Sequence, residues 1–252
     1  MNYTKALALS LLVTVVAISC SGTRKADLVI PRPVSPPDKV DRETEVYAFQ
    51  IPLHPPDPET LAALRIRAAD QPDDAQLQRT LGTVFQVLSP PDNWAFLDQA
   101  IIHLERALEL MPGDPQTLMY LGQATAAKAQ NPKVMLLAKL QLARKGFKLM
   151  DASVEGASRN LSLRILRGNA SMLAPPILRR ADPLKADHAF ITRATEQADT
   201  PAHLKVLGLI FLGDHAHRIL KDGEKAATWY RRALDFETGY TDIARSRLGL
   251  TP

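Results

Sequence analysis

The 252-residue chain carries 31 Lys and Arg against 27 Asp and Glu, a formal net charge of +4. That mild excess, with aromatic residues at only 6%, argues against a nucleic-acid partner, since single-strand binders interleave basic and aromatic side chains. Hydrophobic residues reach 46% and can supply a core. Ala and Leu dominate them and no run of alternating β-branched residues stands out, so the expected fold class is all-α.

Residues 1–19 form the expected signal peptide. Lys5 gives a positive start, and Ala6 to Ile18 is apolar apart from Ser10 and Thr14. The run is too short to span a bilayer comfortably and reads as a signal h-region. Cys20 is the only cysteine, which excludes an internal disulfide. Its place directly after Ala17-Ile18-Ser19 resembles the bacterial lipobox. The resemblance implies cleavage before Cys20, and diacylglycerol plus an amide-linked acyl chain upon it. Several chains anchor stably where one is marginal. Ser21 is not the Asp associated with inner-membrane retention, so the resemblance implies a bacterial outer-membrane protein facing the periplasm. Residues 20–58 follow as a lipidated N-terminus and tether. Prolines at 31, 33, 36, 37, 52, 55, 56 and 58 make it extended and semi-rigid. Its one apolar patch, Val46–Pro52, is expected to pack on the helices that follow.

The segment 59–252 reads as helices, beginning with Glu59–Ala69, 74–88, 93–111 and 115–129. Within it, Pro72-x-Asp74-x-Gln76-x-x-x-x-Leu81-Gly82 returns as Pro112-x-Asp114-x-Gln116-x-x-x-x-Leu121-Gly122. Ala100-x-x-x-Leu104-x-Arg106-Ala107-Leu108 returns as Ala226-x-x-x-Tyr230-x-Arg232-Ala233-Leu234. Recurrence at such spacings marks a helical repeat array. Antiparallel helices that cross closely need small residues at the crossing, which Gly82 and Gly122 supply on one helix and Ala100 and Ala107 on the other. Asp114-Pro115 is a helix start. Leu81, Gly82, Phe85, Ala100, Leu104, Ala107 and Pro112 match in order the consensus of the tetratricopeptide repeat, or TPR, which the segment resembles. Leu121 and Gly122 open a second unit, and Ala226, Tyr230 and Ala233 mark a partial later one. The spacing of 40 rather than 34 fits a longer turn at residues 89–94. The resemblance implies a right-handed superhelix of antiparallel helix pairs.

Further helices are expected at 133–151, 155–172, 185–197, 201–220, 223–236 and Tyr240–Leu248, the last a capping helix kept soluble by Arg245 and Arg247. In the first of these, Leu136, Leu140, Ala143, Phe147 and Met150 step by helical turns and read as one buried stripe. Lys139, Arg144, Lys145 and Lys148 point outward and, with Lys128 and Lys133, form a basic surface. Arg159, Arg164 and Arg167 are likewise expected outward. At Leu173-Ala174-Pro175-Pro176 the repeat pattern lapses.

No catalytic motif is present: neither P-loop, GxGxxG, HExxH nor GxSxG. In Asp214-His215-Ala216-His217 the two histidines lie about 200° apart on a helix and cannot share a metal. No metal and no cofactor is expected, and an enzymatic reading has no residue to rest on. The TPR resemblance implies a non-catalytic module that binds another envelope protein or a peptide segment, as an assembly, pilus or secretion accessory. Its ligand surface would comprise Gln78, Arg79, Leu118, Met119 and Lys128. The alternative is a periplasmic ligand-binding or solute-transport accessory. A closed apolar cavity among helices 133–220 would favour that reading, an open groove the first.

Overall fold

A computed structural model describes residues 57–88 and 94–250. The signal peptide, Cys20, the tether with Val46–Pro52, and the turn at 89–93 lie outside the described residues. The rest is all-helical: α1 (Pro58–Asp70), α2 (Ala75–Leu88), α3 (Trp94–Leu110), α4 (Pro115–Lys128), α5 (Leu136–Gly156), α6 (Leu161–Leu173), α7 (Ala181–Glu196), α8 (Ala202–His215), α9 (Gly223–Ala233) and α10 (Thr241–Arg247). A 3-10 turn at Pro176–Leu178 separates α6 from α7, and a π turn at Ala216–Leu220 prolongs α8. Among the described residues there is no strand, and no helix is long and apolar enough to cross a membrane.

Local chemistry sets the helix starts. The carboxylates of Asp57, Asp74, Asp114 and Asp222 and the amide oxygen of Asn160 each accept from a backbone N–H one turn in, at Thr60, Leu77, Thr117, Lys225 and Leu163. Such a bond satisfies one of the orphan donors at a helix start. It also explains a shifted boundary: the helix expected from 155 waits for its cap at Asn160. The helix expected from 133 starts at Leu136 without a side-chain cap.

The helices pack most extensively as α2 with α3, α4 with α5, α6 with α7 and α8 with α9, each a sequence neighbour of its partner. Glycine permits the closest approaches. A Cβ on Gly82 would lie 2.6 Å from Leu104 Cγ. A Cβ on Gly122 would lie 2.6 Å from the Gly146 carbonyl oxygen, and one on Gly146 2.5 Å from that of Gly122. Further along, Ser153 Oγ donates to the Pro115 carbonyl (2.6 Å), so α5 runs antiparallel to α4. Leu81, Phe85, Ala100, Leu104, Ala107, Leu121, Ala226, Tyr230 and Ala233 are all buried at these crossings, and Pro112 lies exposed in the turn before α4.

Two apolar cores meet at α6. Leu163, Leu166 and Ala170 join the core of α1–α5, while Leu161 and Ile165 join that of α7–α10. A buried ionic network fixes this junction. Asp187 on α7, with no exposed surface, accepts from Arg164 (3.1 Å) and twice from Arg167 (2.9 and 2.7 Å) on α6. Arg167 also reaches Asp151 of α5 (3.1 Å), which receives two bonds from Arg180 (2.7 and 2.6 Å). The expectation that Arg164 and Arg167 face solvent is therefore corrected. Asp187, 20 residues after Arg167 and 23 after Arg164, turns that helix face inward.

Candidate functional site

α4 and α5 touch at Gly122 and Gly146, then diverge toward the turn that joins them. The gap is a cleft of about 660 Å³, closed on its third side by the end of α6 and the 3-10 turn. From α4 come Gln123, Ala126 and Ala127, and from α5 Leu136, Leu137, Lys139, Leu140, Ala143, Phe147 and Met150. Ala170, Leu173, Ala174, Pro175, Ile177 and Leu178 complete the wall. Burial grades along it. Met150 has no exposed surface, whereas Leu136 is 84% exposed, Leu137 68% and Ile177 60%. The deep end is thus at Met150 and the mouth at the start of α5.

The wall is held from behind. The Arg180 guanidinium lies 4.5 Å from the centroid of the Phe147 ring, whose edge lines the cleft, and it is fixed there by Asp151. At the deep end Gln86 Nε2 donates to Gln123 Oε1 (3.2 Å), tying α2 to α4. The only other side chains in the wall with polar groups are those of Gln130 and Lys139.

The helical stripe on α5 is only half buried. Phe147 and Met150 join the core, but Leu136 does not, and Leu136, Leu140 and Ala143 line the cleft instead. Periodicity reports that a face is apolar, not that something covers it. The lapse of the repeat at Leu173–Pro176 coincides with the third wall. Lys139, read as outward, lies in the wall.

The expected partner-binding surface is partly taken up by packing. Met119 has no exposed surface and sits in the core. Gln78 is buried, with Nε2 donating to the carbonyls of Ala68 and Pro72 and Oε1 bonded to His103 Nδ1. Arg79 donates to Asp114 (2.8 Å), the cap of α4, and so links one pair to the next. Lys128 pairs with Asp98 of α3 (2.6 Å), and Leu118 is half-buried. Gln78 and Met119 are thereby inside the packing, while Arg79, Leu118 and Lys128 keep part of their surface exposed.

Asp214 accepts from Tyr230 Oη (2.7 Å) and from Arg247, which pins α10 to α8. His215 turns instead to His188, with ring centroids 4.3 Å apart, while His217 is exposed. Burial, then His188, then Lys225 bring the His215 pKa down to about 4. Burial and Lys225 lower that of His188 as well.

Compared with known proteins, no family model matches the chain, and no curated protein or solved structure is significantly similar to it.

Proposed function

We propose that the chain is a non-catalytic lipoprotein of the bacterial outer membrane, facing the periplasm, whose TPR-like array of helix pairs holds a small apolar ligand. The observation that carries this reading is the cleft. Its volume of about 660 Å³ falls within the roughly 300–1,000 Å³ of small-molecule sites. Its wall is almost wholly hydrocarbon, and the space is closed at Met150 and open at the start of α5, so the ligand reading rests on the closed deep end. The TPR-like assignment rests on the two Leu-Gly units and the pairing of successive helices. The anchor rests on the place of Cys20 after the h-region.

A second reading keeps the envelope-protein partner, at a different surface. Met135, Leu136, Leu137 and Ile177 are large, apolar and exposed together around the mouth, and a partner that delivers or receives the ligand would cover them.

The cleft is tested by hydrogen exchange on the full chain with 1-N-phenylnaphthylamine, an uncharged apolar probe. Slowed exchange at 123–130 and 137–147 is expected, without change in α9 and α10. Unchanged exchange throughout contradicts the ligand site. Metabolic labelling with a palmitate analogue tests the anchor. Label on the wild type and none on Cys20→Ala is expected, and equal labelling of both ends the lipoprotein reading.

A further inference from the structure

Granted that the cleft holds an apolar ligand, we infer that this ligand is a single-chain anionic amphiphile, its hydrocarbon chain running from the mouth toward Met150 and its head at Lys139. The lining selects a chain over a peptide, because a peptide brings backbone polar groups and the wall offers almost none to pair with them. A flexible chain fits a narrow space walled by Leu, Ala, Met and Phe and asks for no hydrogen bonds along it.

Charge selects the head. The wall comes entirely from two stretches, and neither 115–150 nor 156–181 contains an Asp or Glu. Their charges are all positive. Some are spoken for: Lys128 by Asp98, Lys145 by Glu105, and Arg180 by Asp151. Lys139 lines the cleft with no ion pair among the described residues, and the same holds for Lys133 and Arg179, which adjoin the wall-forming segments. A lysine stem follows apolar surface while its ammonium seeks water or an anion. The start of α5 adds to this. Met135 gives no side-chain cap, and no acidic residue stands in the first turn, so the free N–H groups and the positive end of the helix dipole face the same mouth. The carboxylates that reach these stretches, Asp98, Glu105 and Asp151, each pair with a cation there, so a cationic head would meet the positive charge left over.

The test uses the full chain in nanodiscs of zwitterionic lipid, photolabelled with a diazirine-bearing hexadecanoic acid and mapped by mass spectrometry. Labels are expected at 126–147 and 173–178. Hexadecanoate and hexadecyl phosphate should compete, and whichever competes better identifies a carboxylate or a phosphate head. Hexadecyltrimethylammonium should not compete. Lys139→Glu should lower labelling about tenfold, since it turns an attraction into a repulsion at close range. Lys145→Glu, outside the cleft, should leave labelling unchanged, and a thermal melt of each variant confirms that it folds. Cleft labelling that the cationic amphiphile competes equally, and that Lys139→Glu leaves alone, overturns the anionic head while the apolar site stands. Absence of label in the cleft overturns both. Labelling that appears only after Val46–Pro52 is replaced by a Gly-Ser segment assigns the cleft to the chain's own tether. Cross-links between two chains there assign it to a second copy. Either result overturns the amphiphile.

Discussion

The pairs α2–α3 and α4–α5 start from the same motif and end differently. Leu81-Gly82 and Leu121-Gly122 occupy equivalent positions, and both glycines sit at a close crossing. After Gly82 the chain reads Thr-Val-Phe-Gln-Val-Leu; after Gly122 it reads Gln-Ala-Thr-Ala-Ala-Lys. Phe85 stacks on Phe96 (5.9 Å) and His103 (5.5 Å), and Leu88 and Trp94 pack beside them. That fills the first pair. The counterpart of Phe85 on α4 is Thr125, which is buried, and the next two residues, Ala126 and Ala127, line the cleft. One helix register thus serves as core in one unit and as a cavity wall in the next. Smaller side chains at Ala126 and Ala127, where the first pair has Gln86 and Val87, add to the divergence of α4 from α5.

The largest expected effect comes from behind the open pair. Asp187→Ala leaves the buried guanidinium of Arg167, and that of Arg164 beside it, short of an acceptor. Removing one partner of a buried ion pair costs about 3–5 kcal/mol, read as a loss of thermal stability. Hydrogen exchange should quicken first at 170–178, the wall that the network supports.

Next come the crossings. Gly122→Leu should destabilise by roughly 1–3 kcal/mol or more, because its side chain meets the backbone of Gly146. Gly82→Ala should cost less, since it adds one methyl group rather than a whole leucine side chain, though that methyl still meets buried Leu104 and the Ala100 carbonyl oxygen. Thermal melts that rank the two the other way would show that the α4–α5 crossing is looser than described.

The fill of the two pairs can then be compared directly. Ala100→Leu, in the closed pair, should cost about 1–3 kcal/mol as an overpacked core position. Ala143→Leu, in the open pair, should be neutral or stabilise by about 0.5–2 kcal/mol through filling a cavity, and should weaken binding of the apolar probe. Denaturant midpoints give both values. A cost at Ala143 equal to that at Ala100 would mean that the cleft is not open there.

The smallest effect lies far from either pair. His215 has a folded pKa of about 4, below its unfolded value near 6.5. The unfolded chain therefore binds more protons between those values, and stability rises with pH across that window. It is fully present above about 6.5 and is lost as pH falls toward about 4. His215 is partly exposed, so roughly 1–2 kcal/mol is at stake after allowing for solvent screening. His215→Asn should flatten the dependence of melting temperature on pH over that range, and an unchanged slope would reassign it to other groups.

The helices were legible because their signals are local. Asp-Pro starts, the Leu-Gly crossings and the 3.6-residue stripes each depend on neighbours within a few turns. The cleft was not legible, since an apolar stripe such as Leu136–Met150 looks the same whether a helix covers it or not. The alanines after Gly122 were its trace, visible only when the two units are laid over each other and compared by volume. The ligand surface expected at Gln78, Arg79 and Met119 is partly taken up by packing for a similar reason. Which face of a helix is outward depends on the next pair, and Arg79 finds its partner, Asp114, in that pair. The proposed lipid anchor and compartment rest on Cys20 and the segment before it, outside the described residues.

The most direct measurement is a crystal structure of the full chain grown in the presence of hexadecanoate. Elongated density is expected between Leu140 and Leu173, with an anionic group at Lys139. An empty cleft, with Leu137 and Ile177 collapsed onto Ala126 and Ala127, would contradict the view that this pair is left open to bind.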